Sequence, residues 1–494
     1  MKSISASILA LLKRRIVTYL ILPLAVVGGL ALSVKPVFMR LLIDEFYFPA
    51  PVYHYQKPRS HAEAMRQDLD YLDKFPELDR SFDAKSRAEF HAGVAALEAR
   101  ADTLTVADLA MQASRLLALA DNGHTNVRAP DRAIVLNRVP LRFGWFAEGL
   151  FVVRAETTSA SLLGAQVQSI DGVPVVELLQ KLRPYTGGNF ERLRAYSPFM
   201  FESPDALHAV DGTWPQDRLV LDVVLRDGHE TRTEVAALPP EPKSTDTWSE
   251  RELAPAPTGY PGTWKTVLAD DDTQPWVLRD PDHSVFYRSL DDGHGLYLHL
   301  WAISDDKRGS LSSQLQAILD GLKPASLDYA VVDLRMDGGG NYLTAAAFAK
   351  RLPNYLKPTG KLYILTDNFT FSAAIVTLAW LRYYGGAHSV IVGEHAGDRE
   401  EFWAEGSGFE LPNSQLWMAF RTGYHDWEHG CYTWSRCFWP NVFYSVPAGK
   451  LGPDVTVAWR FSDYAAGRDT VLDYVEQTEA AAPKTGPLTP RQTM

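Results

Sequence analysis

The chain has 494 residues, too many for one hydrophobic core, so two or three domains are expected. With 46% hydrophobic and 22% charged residues it is ordinary globular material, which excludes collagenous and low-complexity classes. The formal net charge is −11 and no basic run follows the first fifteen positions, so a sequence-independent grip on nucleic acid is excluded too.

In chain order, a basic segment (1–15) ends in Lys13, Arg14 and Arg15. An uncharged stretch follows from Ile16 to Val34 before Lys35 restores charge. At about 1.5 Å per residue such a helix spans about 28 Å, close to the hydrocarbon thickness. The stretch predicts a single-pass anchor in a bacterial inner membrane, with the basic end cytoplasmic and the body in the periplasm. A cleaved signal peptide is the alternative, although no convincing A-x-A site closes the segment. Both readings export the body and make the membrane its first partner.

Residues 35–60 carry Pro49, Pro51 and Pro58 and read as a stiff linker. Residues 61–130 show helical periodicity in RAEFHAGVAALEARA and ADLAMQASRLLALA, closed by the turn signal Asp121-Asn122-Gly123. Residues 131–237 read as β-rich, with strand-like GLFVVRA, AQVQSIDG and RLVLDVVLRDG. Within them Leu163–Leu179 resembles part of a PDZ-like module in which SIDG is a hairpin turn, a layout suited to strand addition by a peptide. A proline-rich linker or lid is expected over 238–285. Over 286–478, strands GLYLHLWAI, YAVVDLR, KLYILT and SVIVGE alternate with helices around 309–322, 341–352 and 372–384, which argues for an α/β layered core. The tail 479–494 reads as disordered.

Three features could carry chemistry. Ser372 stands after KLYILT and the turn Asp367–Phe371, at the start of an apolar helix, beside free backbone N–H groups at the positive end of the dipole. An N-cap serine is the commoner explanation, yet Asp367, Asn368 and Thr370 could each cap that helix. The loop Met336-Asp337-Gly338-Gly339-Gly340-Asn341 lacks the last glycine of a dinucleotide fingerprint and has no Walker lysine. It reads either as a helix-entry turn or as an oxyanion hole. His124 sits in the turn Asp121–Thr125, where a single histidine is usually surface decoration. Cys431 and Cys437, close together in an exported body, predict a disulfide. Free thiols, or a zinc set with His425 and His429, are the alternatives.

Taken together and in this order, YAVVDLRMDGGGN, TFSAA and IVGEHAG resemble the core of the tail-specific, or C-terminal-processing, serine proteases and the related tricorn core protease. NGHT, the IDG hairpin, LPNS and GKLGPDVTV extend the likeness over roughly residues 60–478. The resemblance implies a crotonase-like fold, Ser372 as nucleophile, and the amides of Gly339 or Gly340 and Ala373 as oxyanion donors. It implies a peptide or protein substrate and no cofactor or metal. Bacterial tail-specific enzymes use a lysine base some two dozen residues beyond the serine, but no lysine occurs here from Ala373 to Gly449. The tricorn-like branch uses histidine and a distant glutamate instead. His124 is therefore the expected base and Glu428 the expected orienting acid, with Asp426, Asp398 and Glu394 as runners-up. An imidazole near its usual pKa of about 6.5 predicts that acylation falls away between pH 7 and 6. The expected function is a serine peptidase working through an acyl-enzyme. A catalytically inactive peptide- or lipophile-binding module on the same fold, or a membrane-tethered scaffold, is the alternative. The oligomeric state is not readable from the sequence.

Overall fold

A computed structural model describes residues 36–128, 134–240, 250–255, 262–268 and 273–481. The basic segment 1–15 and the apolar stretch Ile16–Val34 lie outside the described residues. Among the described residues no helix is long and apolar enough to cross a membrane.

The N-terminal part is helical. Helices α1 (His61–Leu72), α2 (Ala84–Glu98) and α3 (Val106–Leu117) begin at Ser60, Asp83 and Thr105, whose side chains accept from the backbone N–H three residues on. For α2 and α3 the third helical residue bonds back, completing a capping box. Their buried faces, with Leu69, Leu72, Phe90, Leu109 and Leu117, close over Phe409, Leu416, Met418 and Phe420 from much later in the chain. The linker expected over 35–60 begins instead with helix, because Pro36 stands at the first helical position, where a missing N–H costs nothing, and the next proline is Pro49. Residues 36–46 are helical and bury Leu42 and Phe46 in the main core.

After the two-residue strand β1 (Asn126–Val127) comes a β-rich unit. Strands β2 (Leu141–Phe146), β3 (Gly149–Glu156), β4 (Gln166–Ile170), β5 (Val173–Pro174), β6 (Arg218–Val224) and β7 (Glu230–Ala236) form an antiparallel sheet. Its order is β2-β3-β4-β6-β7, with β5 on β4. The SIDG segment is a two-residue hairpin joining β4 to β5: Asp171 and Gly172 both take positive φ, at 49° and 78°. The proline-rich stretch is not only a connection, since its Trp264–Thr266 adds strand β8 beside β3. Helices α4 (Val175–Lys181) and α5 (Phe190–Glu202) belong to this unit, and α5 packs against β2.

The core sheet is built from β9 (Val285–Leu290), β10 (Gly295–Leu300), β11 (Leu327–Asp333), β12 (Leu356–Thr366), β13 (Ser389–Gly393) and β18 (Val455–Thr456), in the order β18-β13-β12-β11-β10-β9. All neighbours are parallel except β9, which runs antiparallel to β10. The period of two along β11 sends Ala330 and Val332 to one face and Tyr329 and Val331 to the other. On the first face pack α6 (Leu311–Asp320), α7 (Ala346–Arg351) and α8 (Ala373–Gly385); on the second, Val471, Leu472 and Val475 of α9 (Thr470–Ala481). Helix α9 reaches Ala481, three residues into the expected tail. Between β13 and β18 lie the antiparallel pair β14 (Glu401–Ala404) and β17 (Gly423–Asp426) and the strands β15 (Ser407–Glu410) and β16 (Trp417–Phe420). Strand β16 pairs with β1, which ties the α/β part to the helical one.

A parallel sheet gathers the exits of its strands along one edge. Here β11 exits into the glycine loop, β12 into the Asp367–Ser372 turn and β13 into the Glu394–Arg399 loop. Fully buried Arg335, two residues past β11, binds Asp333 at 2.9 and 2.6 Å and Asp469, at the head of α9, at 2.8 and 2.6 Å. Arg335→Met should leave two buried carboxylates facing each other without a cation. We expect chemical denaturation to show a loss of about 3 kcal/mol or more, and an unchanged midpoint would mean that the cluster does not hold α9 to the sheet.

Candidate active site

Ser372 precedes α8 with φ +57° and ψ −119°, outside the regions that side-chain-bearing residues favour, and its hydroxyl does not cap the helix. Strain of this kind persists only where the surroundings over-determine it. They do so here: Asp367 accepts from the amides of Met336 (3.1 Å), Phe369 (2.9 Å) and Thr370 (3.0 Å), the Phe371 amide donates to Asp337 O (3.0 Å), and Thr370 Oγ1 donates to Leu334 O (2.8 Å). The Asp367–Ser372 turn and the glycine loop are therefore one braced unit.

The glycine loop lies directly against the serine. A Cβ placed on Gly339 would stand 2.7 Å from Ser372 Cβ and 2.9 Å from the Ala373 nitrogen, so only glycine fits there, at φ +104°. The three expected oxyanion donors are not equivalent. The Gly339 amide is already used, donating to Asp337 Oδ1 at 2.8 Å. Gly340 is held by its neighbours, since the Asn341 amide donates to Ile303 O and the Ile303 amide to Gly339 O. Among the described residues the Gly340 and Ala373 amides have no such engagement.

His124 is not surface decoration. The turn that carries it is fixed from three sides. Asn122 Nδ2 donates to Trp403 O (3.0 Å) and its Oδ1 accepts from the Trp403 amide (3.1 Å). Thr125 Oγ1 donates to the buried Asp79 (2.8 Å), and Arg421 Nε donates to His124 O (2.7 Å). The ring is 7% exposed and lies between Phe371, the residue before the serine (centroids 4.2 Å, 29°), and Phe402 (5.1 Å, 20°). The imidazole thus packs on the turn that carries Ser372. Its Nδ1 is 3.2 Å from Asp398 Oδ2, at an angle short of a well-aligned hydrogen bond, and its Nε2 is buried and has no hydrogen-bond partner among the described residues. Catalytic hydrogen bonds of resting enzymes are often loose and tighten once substrate is bound.

The carboxylate at the histidine is therefore Asp398, a runner-up, and the choice of Glu428 is corrected. Glu428 is instead bound to Lys450 Nζ at 2.6 Å and lies 3.7 Å from His429. Lys450 supplies the cation that draws it to the surface. Asp398 is placed by the next residue: Arg399 bonds Asp121 Oδ2 (2.9 Å), Asp121 O (3.1 Å) and Gly188 O (3.1 Å), pulling the β13 exit loop onto the histidine's turn. An ion pair across these two segments could have been sought in the sequence, but nothing local identifies it. Asp426 bonds the His429 amide, and Glu394 bonds Arg194 at 2.5 Å, so neither of these runners-up serves the ring.

Cys431 and Cys437 are joined in a disulfide, with Cα atoms 5.7 Å apart. A zinc set with His425 and His429 does not assemble: His425 is buried, with Nε2 3.4 Å from Glu405, whereas His429 is exposed. Among the described residues one other group, Glu401, Glu428 and His429, brings potential ligand atoms together, at the surface.

Burial pushes the His124 pKa down to about 4, and Asp398 only partly opposes this. The ring is consequently neutral through the window from pH 6 to 7 in which protonation was expected. The unfolded ring binds a proton near pH 6.5 and the folded one only near 4, so the unfolded state holds more protons between these values. Stability therefore rises with pH across this window and falls as pH is lowered from 6.5 towards 4. In a histidine NMR titration His124 should stay neutral to below pH 5; a midpoint near 6.5 would show the ring to be solvated.

No family model matches the sequence, and no curated protein matches it either. Solved structures do. Mature CPAF complexed with lactacystin superposes over 85% of this chain and 98% of that one, with 12% identity and a TM-score of 0.52. Mature CPAF alone gives 85%, 96%, 12% and 0.51. The photosystem II D1 C-terminal processing protease matches over 81% of this chain and 94% of that one at 13% identity, with a TM-score of 0.33. At such identities likeness is a matter of architecture, and on these superpositions this chain has a mixed α/β fold like that of mature CPAF.

Proposed function

We propose that the chain is a serine peptidase with Ser372 as nucleophile, His124 as general base and Asp398 as the acid that orients the base. One observation supports this above the others: a strained, uncapped serine at a helix N-terminus, whose preceding residue packs on a buried histidine with a carboxylate at its far nitrogen. A neutral imidazole accepts the Ser372 proton as Oγ attacks the substrate carbonyl, and Asp398 steadies the imidazolium that forms. The Ala373 amide, at the positive end of α8, and the Gly340 amide serve the oxyanion. The same proton then passes to the leaving amine, and water resolves the acyl-enzyme by the reverse sequence. Strands β11 to β13 belong on this reading to a crotonase-like core. A peptide or protein is the substrate class, supported by the tail-specific resemblance and by the β4–β5 hairpin unit. The apolar stretch Ile16–Val34 would hold the body on the periplasmic side of a bacterial inner membrane.

A fluorophosphonate probe tests the chemistry directly. Wild type should be labelled at Ser372, and Ser372→Ala should lose hydrolysis by about a million-fold while remaining folded. Asp398→Asn should slow acylation by about three to four orders of magnitude, as an orienting acid does. Glu428→Gln should label at close to the wild-type rate. Loss of labelling in Glu428→Gln with retention in Asp398→Asn would overturn the assignment of the acid. A folded wild type that never labels would instead favour a binding module on this fold.

A further inference from the structure

Residues 36–46 form an amphipathic helix only in part. Phe38, Leu42 and Phe46, four apart, turn inward: Leu42 and Phe46 are buried, and Phe38 meets the Trp439 ring at 6.0 Å. The other faces should be polar, yet Val37 (59%), Met39 (43%), Leu41 (51%) and Ile43 (49%) are exposed. The surface beside the helix is aromatic. Trp439 contacts Trp434 at 5.7 Å, and Trp434 contacts Phe443 at 5.7 Å. Trp434 and Phe443 are exposed, as are Tyr432, Tyr444 and Tyr383 nearby. Single exposed apolar residues need no explanation, but a cluster of them does, even one interrupted by the exposed Arg40–Asp44 pair. The disulfide Cys431–Cys437 and the Trp439 Nε1 bond to Trp434 O (3.1 Å) hold this loop in shape, so the exposure is built in.

We propose that this face docks on a lipid bilayer, with Trp434, Phe443 and the outer residues of helix 36–46 seated in the interfacial layer. The occupant follows from where the chain leads: the helix starts one residue after Lys35, which closes the uncharged stretch Ile16–Val34. A body tethered by so short a connection lies against the bilayer, and this patch is the surface next to the tether. Tryptophan and tyrosine suit that layer, because each joins a large apolar body to a polar tip. Docking would fix which way the body faces, where a tether alone leaves it free to rotate. The inference rests on reading Ile16–Val34 as a membrane span and is independent of the peptidase chemistry.

Both native cysteines are paired, so a single new thiol can be labelled selectively. Full-length Phe443→Cys and, as a remote control, Val176→Cys (64% exposed) would each carry a nitroxide in vesicles of phosphatidylethanolamine and phosphatidylglycerol. Docking predicts that relaxation at position 443 responds to oxygen, which concentrates in lipid, and is shielded from a water-soluble nickel complex. Position 176 should show the reverse. Equal nickel access at both positions, with the protein resisting alkaline carbonate, would overturn docking and leave the span intact. Release by carbonate would overturn both. Strong spin–spin broadening at 443 without oxygen access would assign the patch to a second copy of the chain and overturn the proposal.

Discussion

The site depends on one packing arrangement, the burial of His124 between Phe371 and Phe402. An imidazole covered on both faces loses the water that would stabilise its cation, and this, helped by the charges of Arg421 and Arg192, keeps it neutral far below its solution range. The stack continues. Phe402 lies on His425 (4.8 Å, 15°) and His425 on Phe438 (5.8 Å, 20°), while Arg192 covers the outer face of Phe371 at 3.5 Å. Segments far apart in sequence therefore meet through ring faces. The same contact that sets the charge state of the histidine also fixes its position against the turn of Ser372.

Ring stacking gives position but little orientation, and the orientation comes from buried polar groups. Asp79, fully buried, accepts from the Ser81 amide (2.8 Å), Thr125 Oγ1 (2.8 Å) and the Arg421 amide (2.9 Å). Arg421 in turn binds the His124 carbonyl. Removing any one of these partners would strand another below the surface, at about 1–3 kcal/mol. A further network runs in parallel: Glu405 lies 3.4 Å from the buried His425 Nε2 and accepts from Tyr47 OH, just past helix 36–46. Tyr47, at the end of the segment next to the proposed anchor, is thus linked to the His124 ring through Glu405, His425 and Phe402.

Much of this was legible in the sequence because the signals are local. Apolar runs such as YAVVDLR and KLYILT specify buried parallel strands, and glycine at 339 is required by close approach to Ser372. The SIDG turn announced its hairpin through residues that tolerate positive φ. What was not legible depends on chain reversal. Glu428 is the acid that the resemblance to the tricorn-like branch suggests, but Lys450 captures it, and the β13 exit loop returns to offer Asp398 instead. The pKa of His124 was misjudged for the same reason, since a turn histidine beside Asp121 and Asn122 looks solvated until Phe402 arrives from 278 residues away. Helix 36–46 was hidden because prolines just beyond it, from Pro49, set the character of the whole linker.

The backbone at the serine explains why the rest must be so firmly held. Met336 and Ser372 both take positive φ without being glycine, at 62° and 57°, on the two loops that face each other. Left alone each would relax to an ordinary conformation, and Ser372 would become a plain helix cap. Asp367 prevents this by accepting from Met336 on one loop and from Phe369 and Thr370 on the other. Asp337 adds a second bridge, through its carbonyl to the Phe371 amide and its carboxylate to the Gly339 amide. The Gly339 amide is thereby committed to the scaffold, leaving the Gly340 and Ala373 amides as the pair that an oxyanion could use.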